Sequence, residues 1–213
     1  MYSVIFDMDG TLIDTQKIYV EAWELAGRNQ GIEGLGGLIK YVCGLKHEDS
    51  LAYAKNLYPK LDTDRFFADY FPYAQANKRV ELLPGVTELL DFLYSRGTKM
   101  AIASSSPMSE ISENVEKLGI SKYFSAFVSG YDVKNGKPAP DIFLLAAEKL
   151  GTPPDKCYVF EDSPNGVRAA HNAGMKCFGV TDVALFTDEV CAIAYKVIDS
   201  VDKAINILSE ATE

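Results

Sequence analysis

With 213 residues, nearly half of them apolar and 24% charged, the chain has the make-up of a globular protein with one core domain and room for a smaller second one. A formal charge of -9 excludes phosphate-backbone binding as its main business, so no nucleic-acid partner is expected. The start "MYSVIFD" has no basic segment leading into an apolar run, and no stretch nears the roughly 20 apolar residues of a membrane span, so the expectation is a cytoplasmic protein with no membrane partner.

In chain order, "SVIFD" is short, β-branched and apolar on both faces, which predicts a strand buried in a parallel sheet. Comparable runs are "KMAIAS" (Lys99 to Ser104), "AFVSG" (Ala126 to Gly130), "CYVFE" (Cys157 to Glu161), "KCFGV" (Lys176 to Val180) and, more weakly, "YKVID" (Tyr195 to Asp199). Helical patterns separate them. "VTELLDFLYSRG" puts Val86, Leu89, Leu90 and Leu93 on one face and stops at Gly97, and "APDIFLLAAEKLG" places Ile142, Leu145, Ala146 and Leu150 likewise and stops at Gly151. Strand and helix alternate from Gly85 onward, which predicts an α/β core around a mostly parallel sheet.

Between the first strand and Pro84 the pattern is helical, with Tyr19, Ala22, Trp23 and Ala26 at i, i+3, i+4, i+7 and a later helix interrupted at Pro72. This predicts a helical cap over residues 15–80 inserted into a core of residues 1–14 and 81–213. Its two connections lie near "GTLIDT" and "VELLPGV", so the insert can rock as a lid. Trp23, Phe66, Phe67, Tyr70 and Phe71 are expected to form the cap's own core. The cysteines, Cys43, Cys157, Cys177 and Cys191, lie far apart with no C-x-x-C pair, which fits reduced thiols.

In open α/β sheets ligands bind beyond the carboxyl ends of the strands, so the residues there are the candidates for chemistry. They are Asp7 and Asp9; Ser104, with a slip to Ser105 open; Lys137; and Glu161 with Asp162. A hard cation such as Mg²⁺ takes oxygen ligands, and Asp7, Asp162 and the Asp9 carbonyl fit that need. Lys137 and a serine hydroxyl can neutralise a phosphoryl group, one aspartate can attack phosphorus, and a second acid can protonate the leaving oxygen. Ser106 and Ser163, each followed by proline, are expected to be helix caps. In the cap, Lys46 and His47 are candidates for reading the substrate, with solvent-facing roles as the alternative.

"DMDGT", the serine closing "AIASS", the lysine of "GKPAPDIF" and the acid pair of "VFEDS" resemble, in order, the four motifs of the haloacid dehalogenase-like superfamily. That resemblance covers essentially the whole chain. It implies a Rossmann-like core with an inserted four-helix-type cap, Asp7 as nucleophile, Asp9 as general acid/base, Ser104 and Lys137 as phosphate ligands, and Mg²⁺ at Asp162 with Glu161 beside it. An aspartate two residues after the nucleophile resembles the phosphatase and mutase branches. The β-phosphoglucomutase pattern carries a lysine and an arginine around the cap glycine where Cys43 and His47 stand here. Tyr19 stands where its cap-helix histidine would be, and Pro107 and Met108 where its lysine and asparagine follow the serine. The resemblance thus implies a Mg²⁺-dependent phosphatase of small phosphate esters, sugar or polyol phosphates foremost. A phosphomutase is the alternative, and a catalytically silent binding protein the third reading; a monomer is expected.

Overall fold

The computed structural model describes residues 2–181 and 186–210; Met1, residues 182–185 and residues 211–213 of the expected core lie outside the described residues. Strands β1 (Ser3–Phe6), β2 (Lys99–Ser104), β3 (Ala126–Ser129), β4 (Cys157–Glu161), β5 (Lys176–Val180) and β6 (Lys196–Ile198) form one sheet in the order β3-β2-β1-β4-β5-β6. All pairings are parallel. Parallel strands need crossovers, supplied by helices α5 (Val86–Ser95), α6 (Met108–Lys117), α7 (Asp141–Leu150), α8 (Pro164–Asn172) and α9 (Asp188–Ile193), with α10 (Ala204–Glu210) after the last strand. Because those helices cover both faces, the strands are apolar on both, as their sequences require.

Alternation sorts the strand residues into two cores. Val4, Phe6, Met100, Ile102, Phe160 and Phe178 face one side, whereas Ile5, Ala101, Ala103, Val159 and Cys177 face the other. On the first face Phe6, Phe160 and Phe178 stack in a row across three strands, with centroids 5.0 and 4.8 Å apart. On the second, the alanines of β2 let α7 lie close against the sheet.

Between β1 and α5 the chain forms helices α1 (Gln16–Arg28), α2 (Ile39–Val42), α3 (His47–Leu57) and α4 (Thr63–Asn77). They bury an apolar cluster of their own, in which Trp23 meets Phe66 edge-on at 5.1 Å. The two passages joining this unit to the core run side by side: Ile13 bridges Leu82, Leu83 N–H donates to Leu12 O at 2.9 Å, and Asp14 N–H to Glu81 O at 3.3 Å.

The expected break at Pro72 does not occur, and α4 runs through it. Phe66, Tyr70 and Ala74 form one buried stripe spanning the proline, and Asp62 caps the helix by accepting from Asp64 N–H and Arg65 N–H. Packing on both sides outweighs the hydrogen bond that proline removes. All four cysteines are free thiols, three of them buried.

Phe160 lies between two stacked rings and is fully buried. Phe160→Ala should therefore lower the unfolding free energy by about 3–5 kcal/mol in urea titration. A loss below about 1 kcal/mol would show that the stack is not a principal support of the sheet.

Candidate active site

The order of the strands dictates where a site can form. The chain steps outward from β1 through β2 to β3 and then returns to the other side of β1 for β4, so the connections part beyond the carboxyl ends of β1 and β4. Asp7 follows β1 and its N–H donates to Phe160 O at 2.9 Å, keeping the strand register into the turn. Met8 then points into the core, 1% exposed, which turns Asp7 and Asp9 to the same side. Gly10 reverses the chain at φ +86°, and a Cβ there would lie 2.2 Å from Asp162 Oδ2. The D-x-D-G spacing is thus one apolar anchor between two acids, followed by a turn with no room for a side chain.

Beneath Asp7 lies a buried ion cluster. Lys137 Nζ donates to Asp7 Oδ1 at 2.5 Å and to Glu161 Oε1 at 2.6 Å, and its ammonium lies over the face of Phe143 at 5.0 Å from the centroid. Glu161 Oε2 accepts from Ser163 N–H at 2.7 Å and Ser163 Oγ–H at 2.8 Å. Ser163 Oγ in turn caps α8 by accepting from Gly166 N–H, as expected of it. A Cβ at Gly166 would stand 1.8 Å from the Glu161 carboxylate, so the glycine makes the slot this acid fills. Both Glu161 oxygens are therefore engaged, and of the two placements open to Glu161, at the metal or behind it, the geometry favours the one behind, as a support for Lys137.

Asp162 is held differently. Thr11 Oγ1–H donates to its Oδ1 at 3.3 Å and Gln16 Nε2–H to its Oδ2 at 2.9 Å, and the same Gln16 nitrogen donates to Asp9 O at 3.2 Å. One amide thus bridges two of the three oxygen groups assigned to Mg²⁺ from the sequence. Among the described residues no three His, Cys, Asp or Glu side chains gather as a metal cluster. The oxygen set of two carboxylates and one carbonyl still fits a hard cation that also keeps water and substrate oxygens. Burial pushes Asp7 up to about 8, with Glu161 and Asp9 adding to the rise and Lys137 opposing it. Burial also raises Asp162, reinforced by Glu161 and Asp7. Lys137 loses stability by burial, yet its two carboxylates more than restore it and hold it protonated.

Asp9 faces the cavity above. Its Oδ1 accepts from Thr15 Oγ1–H at 2.6 Å, and its Oδ2 from Ser106 Oγ–H at 2.9 Å and Ser104 Oγ–H at 3.4 Å. Ser106 is thus a site residue, contrary to the expected capping role, and Pro107 occupies the cap position of α6 instead. Thr15 and Gln16 are further positions the sequence reading missed. The available signal was two polar residues opening a helix, and nothing in the sequence shows that both are buried.

Asp7, Asp9, Ser104, Ser105 and His47 line one cavity of about 700 Å³ between core and cap. Ser105 Oγ–H donates to Gly44 O of the cap at 2.7 Å. Lys46 is not brought to the cavity: its ammonium donates to Val133 O at 3.1 Å and tethers the cap to the core. Of the alternatives for Lys46, reading the substrate or facing water, the geometry does not support the first. Of the cap aromatics, Phe66 is core as expected, but Trp23, Phe67, Tyr70 and Phe71 also form cavity wall.

The sequence matches the haloacid dehalogenase-like hydrolase family over residues 4–180. The chain belongs to that family. Within it, the chain is 38% identical over 184 residues to the phosphorylated carbohydrates phosphatase of Thermotoga maritima, covering 84% of this chain and 85% of that protein. It is 35% identical over 187 residues to the fructose-1-phosphate phosphatase of Escherichia coli, covering 83% and 95%. Among solved structures, a hydrolase from Pseudomonas syringae matches with a TM-score of 0.85 at 27% identity over the whole of both chains. The β-phosphoglucomutase of Clostridium difficile matches with a TM-score of 0.81 at 26% identity, covering 99% and 96%. This haloacid dehalogenase-like hydrolase therefore sits in the branch that phosphatases and β-phosphoglucomutase share, with the parallel sheet and inserted helices of its relatives.

Asp7 and Asp162 bind protons more tightly in the folded, metal-free protein than in the unfolded chain, where the ordinary value is 3.8. Their contribution to stability is full below about pH 4 and fades as pH rises through the folded values, about 8 for Asp7. Thermal melts in chelator should show a midpoint that falls from pH 5 to pH 8, and Asp162→Asn should flatten that fall. A wild-type midpoint that rises across this window would contradict the charge assignment.

Proposed function

We propose that this hydrolase is a Mg²⁺-dependent phosphatase of small phosphorylated metabolites, sugar or polyol phosphates foremost, acting through an aspartyl phosphate, the mixed anhydride formed on the Asp7 carboxylate. The observation that carries this reading is the pair Asp7 and Asp9 on one cavity floor, each held by a different partner set. Asp7 is fixed from below by Lys137, whereas Asp9 is oriented by three hydroxyls.

In this scheme an Asp7 oxygen attacks phosphorus in line with the leaving group, the P–O bond to that group breaks, and Asp9 gives its proton to the departing oxygen. Asp9 then takes a proton from water, whose oxygen attacks phosphorus, and the Asp7–phosphorus bond breaks to release inorganic phosphate. Ser104 offers its hydroxyl to the phosphoryl oxygens, and Lys137, from beneath, holds the Asp7 carboxylate and offsets its charge. Mg²⁺ would be held by Asp7, Asp162 and the Asp9 carbonyl, and when bound it offsets the charge of acids and phosphate. The cap shields the site from bulk water during transfer. The substrate class rests on the cavity's size and on relatives named for phosphorylated carbohydrates and fructose 1-phosphate.

Phosphomutase action is the second reading, favoured by the likeness to a solved β-phosphoglucomutase. It requires the cavity to grip a second phosphate, and among the described residues lining the cavity none is Lys or Arg. A catalytically silent protein is disfavoured because Asp7, Asp9, Lys137 and Asp162 are all present around one cavity floor.

Phosphate release from a panel of sugar and polyol phosphates should require Mg²⁺ and vanish in Asp7→Asn, with the circular dichroism spectrum unchanged. Asp9→Asn should lower kcat by roughly 10²–10⁴-fold. Turnover by Asp7→Asn would remove the nucleophile assignment. Isomerisation far exceeding phosphate release in the presence of a sugar bisphosphate would replace the phosphatase with the mutase. Saturating Mg²⁺ at 100 times its Kd should stabilise the wild type by about 2.7 kcal/mol. Asp162→Asn should lose most of that gain.

A further inference from the structure

The walls above the phosphoryl floor differ in character from the floor itself. Trp23, Phe67, Tyr70 and Phe71 give an aromatic surface, and Glu48 and Glu113 add carboxylates, that of Glu110 being offset by Lys78. The cations near this space are committed elsewhere. Lys137 lies beneath Asp7 between two acids, Lys46 donates to Val133 O, and Lys78 is paired with Glu110.

Among the described residues lining the cavity, His47 is the one basic side chain, and its surroundings favour the neutral ring. Its ring packs on Phe67 with centroids 4.6 Å apart, and its Nδ1 lies 2.6 Å from Tyr70 Oη. Burial lowers its proton affinity. Burial pushes the Tyr70 phenol upward, so it keeps its proton, and its hydroxyl and Nδ1 are hydrogen-bond partners whose direction follows the imidazole tautomer. In the tautomer with Nδ1 accepting, the imidazole's proton resides on Nε2. A neutral N–H donor in an aromatic and acidic wall suits a hydroxyl or carbonyl oxygen. It gives little to a second phosphate or a carboxylate, which would lose its water there and face like charge.

We propose that this cavity selects phosphomonoesters whose leaving group carries no second anion, and that His47 sets this preference as an uncharged donor to the leaving group. The inference rests on the phosphatase reading for its assay, but its subject is which ester enters.

The test uses matched substrates on the full chain with Mg²⁺: glucose 6-phosphate against glucose 1,6-bisphosphate, and ethylene glycol monophosphate against phosphoglycolate. The neutral member of each pair should have the higher kcat/KM by at least about 30-fold. His47→Ala should raise KM for glucose 6-phosphate with little change in kcat, and His47→Gln should recover part of that loss through its amide donor. His47→Lys should narrow both ratios by roughly tenfold, chiefly through KM for the anionic member. Equal or better turnover of the bisphosphate and phosphoglycolate by the wild type would overturn the inference while leaving the phosphatase intact, as would ratios unmoved by His47→Lys. If no ester is hydrolysed, the phosphatase reading fails on its own, and calorimetric binding to Asp7→Asn decides selection. Tighter binding of the neutral members supports it, and equal or tighter binding of the anionic members overturns it.

Discussion

The arrangement at the sheet edge depends on the Lys137 ammonium buried between Asp7 and Glu161. Three acids, Asp7, Glu161 and Asp162, are almost wholly removed from water within one small volume. Carboxylates so placed repel each other and lose hydration, which costs several kcal/mol per ion unless cations and donors compensate. Lys137 supplies one full charge, Ser163 satisfies the remaining Glu161 oxygen, and Thr11 and Gln16 do the same for Asp162. Neighbouring features follow from that need. Gly166 leaves the slot for Glu161, Gly10 leaves room for Asp162, and Phe143 offers its ring face to the ammonium.

The half of the cavity contributed by the cap obeys a different rule. Its side chains are mostly aromatic or aliphatic, with a few polar groups such as His47, Glu48, Ser50 and Gln75, and none is Lys or Arg among the described residues. The cap is seated through its backbone as much as its side chains. At Gly44, φ +77°, an added Cβ would strike Ser163 Oγ at 2.1 Å, while Ser105 donates to Gly44 O and Asn165 to Cys43 O. The serine that closes the loop after β2 and the serine that caps α8 thus both meet the same cap turn. The buried acid cluster of the core and the cavity wall of the cap are thus separate layers that touch along this seam.

Most of the architecture could be read from the sequence because it follows from buried, β-branched runs and helical spacing. Lys99–Ser104 and Cys157–Glu161 begin and end where their apolar patterns do. Asp7, Asp9, Ser104, Lys137 and Asp162 were legible as site candidates because they end or follow strands of one sheet. What escaped depends on orientation. Ser106 before a proline satisfies a helix-cap pattern equally well, yet its hydroxyl turns to Asp9. Lys46 and His47 are adjacent, and only the folded chain sends one to a core carbonyl and the other to the cavity. Phe66 and Phe67 are neighbours in an aromatic run, and composition does not tell which becomes core and which becomes wall. Pro72 carries a local signal that the stripe of Phe66, Tyr70 and Ala74 overrides.

The short ribbon at Ile13 and Leu82 has a consequence for how the molecule tolerates change. Because the helical unit leaves and rejoins the core at adjacent points, the sheet experiences it as little more than a hairpin loop, and it retains its own apolar centre around Trp23. Substitutions there spend their destabilising effect on a subglobal opening that need not unfold the sheet. The residues lining the cap side of the cavity are therefore ones a lineage can alter cheaply, while the buried acids and Lys137 at the sheet edge are locked into the global fold. New substrate ranges can arise in such a molecule without passing through unfolded intermediates of its catalytic half.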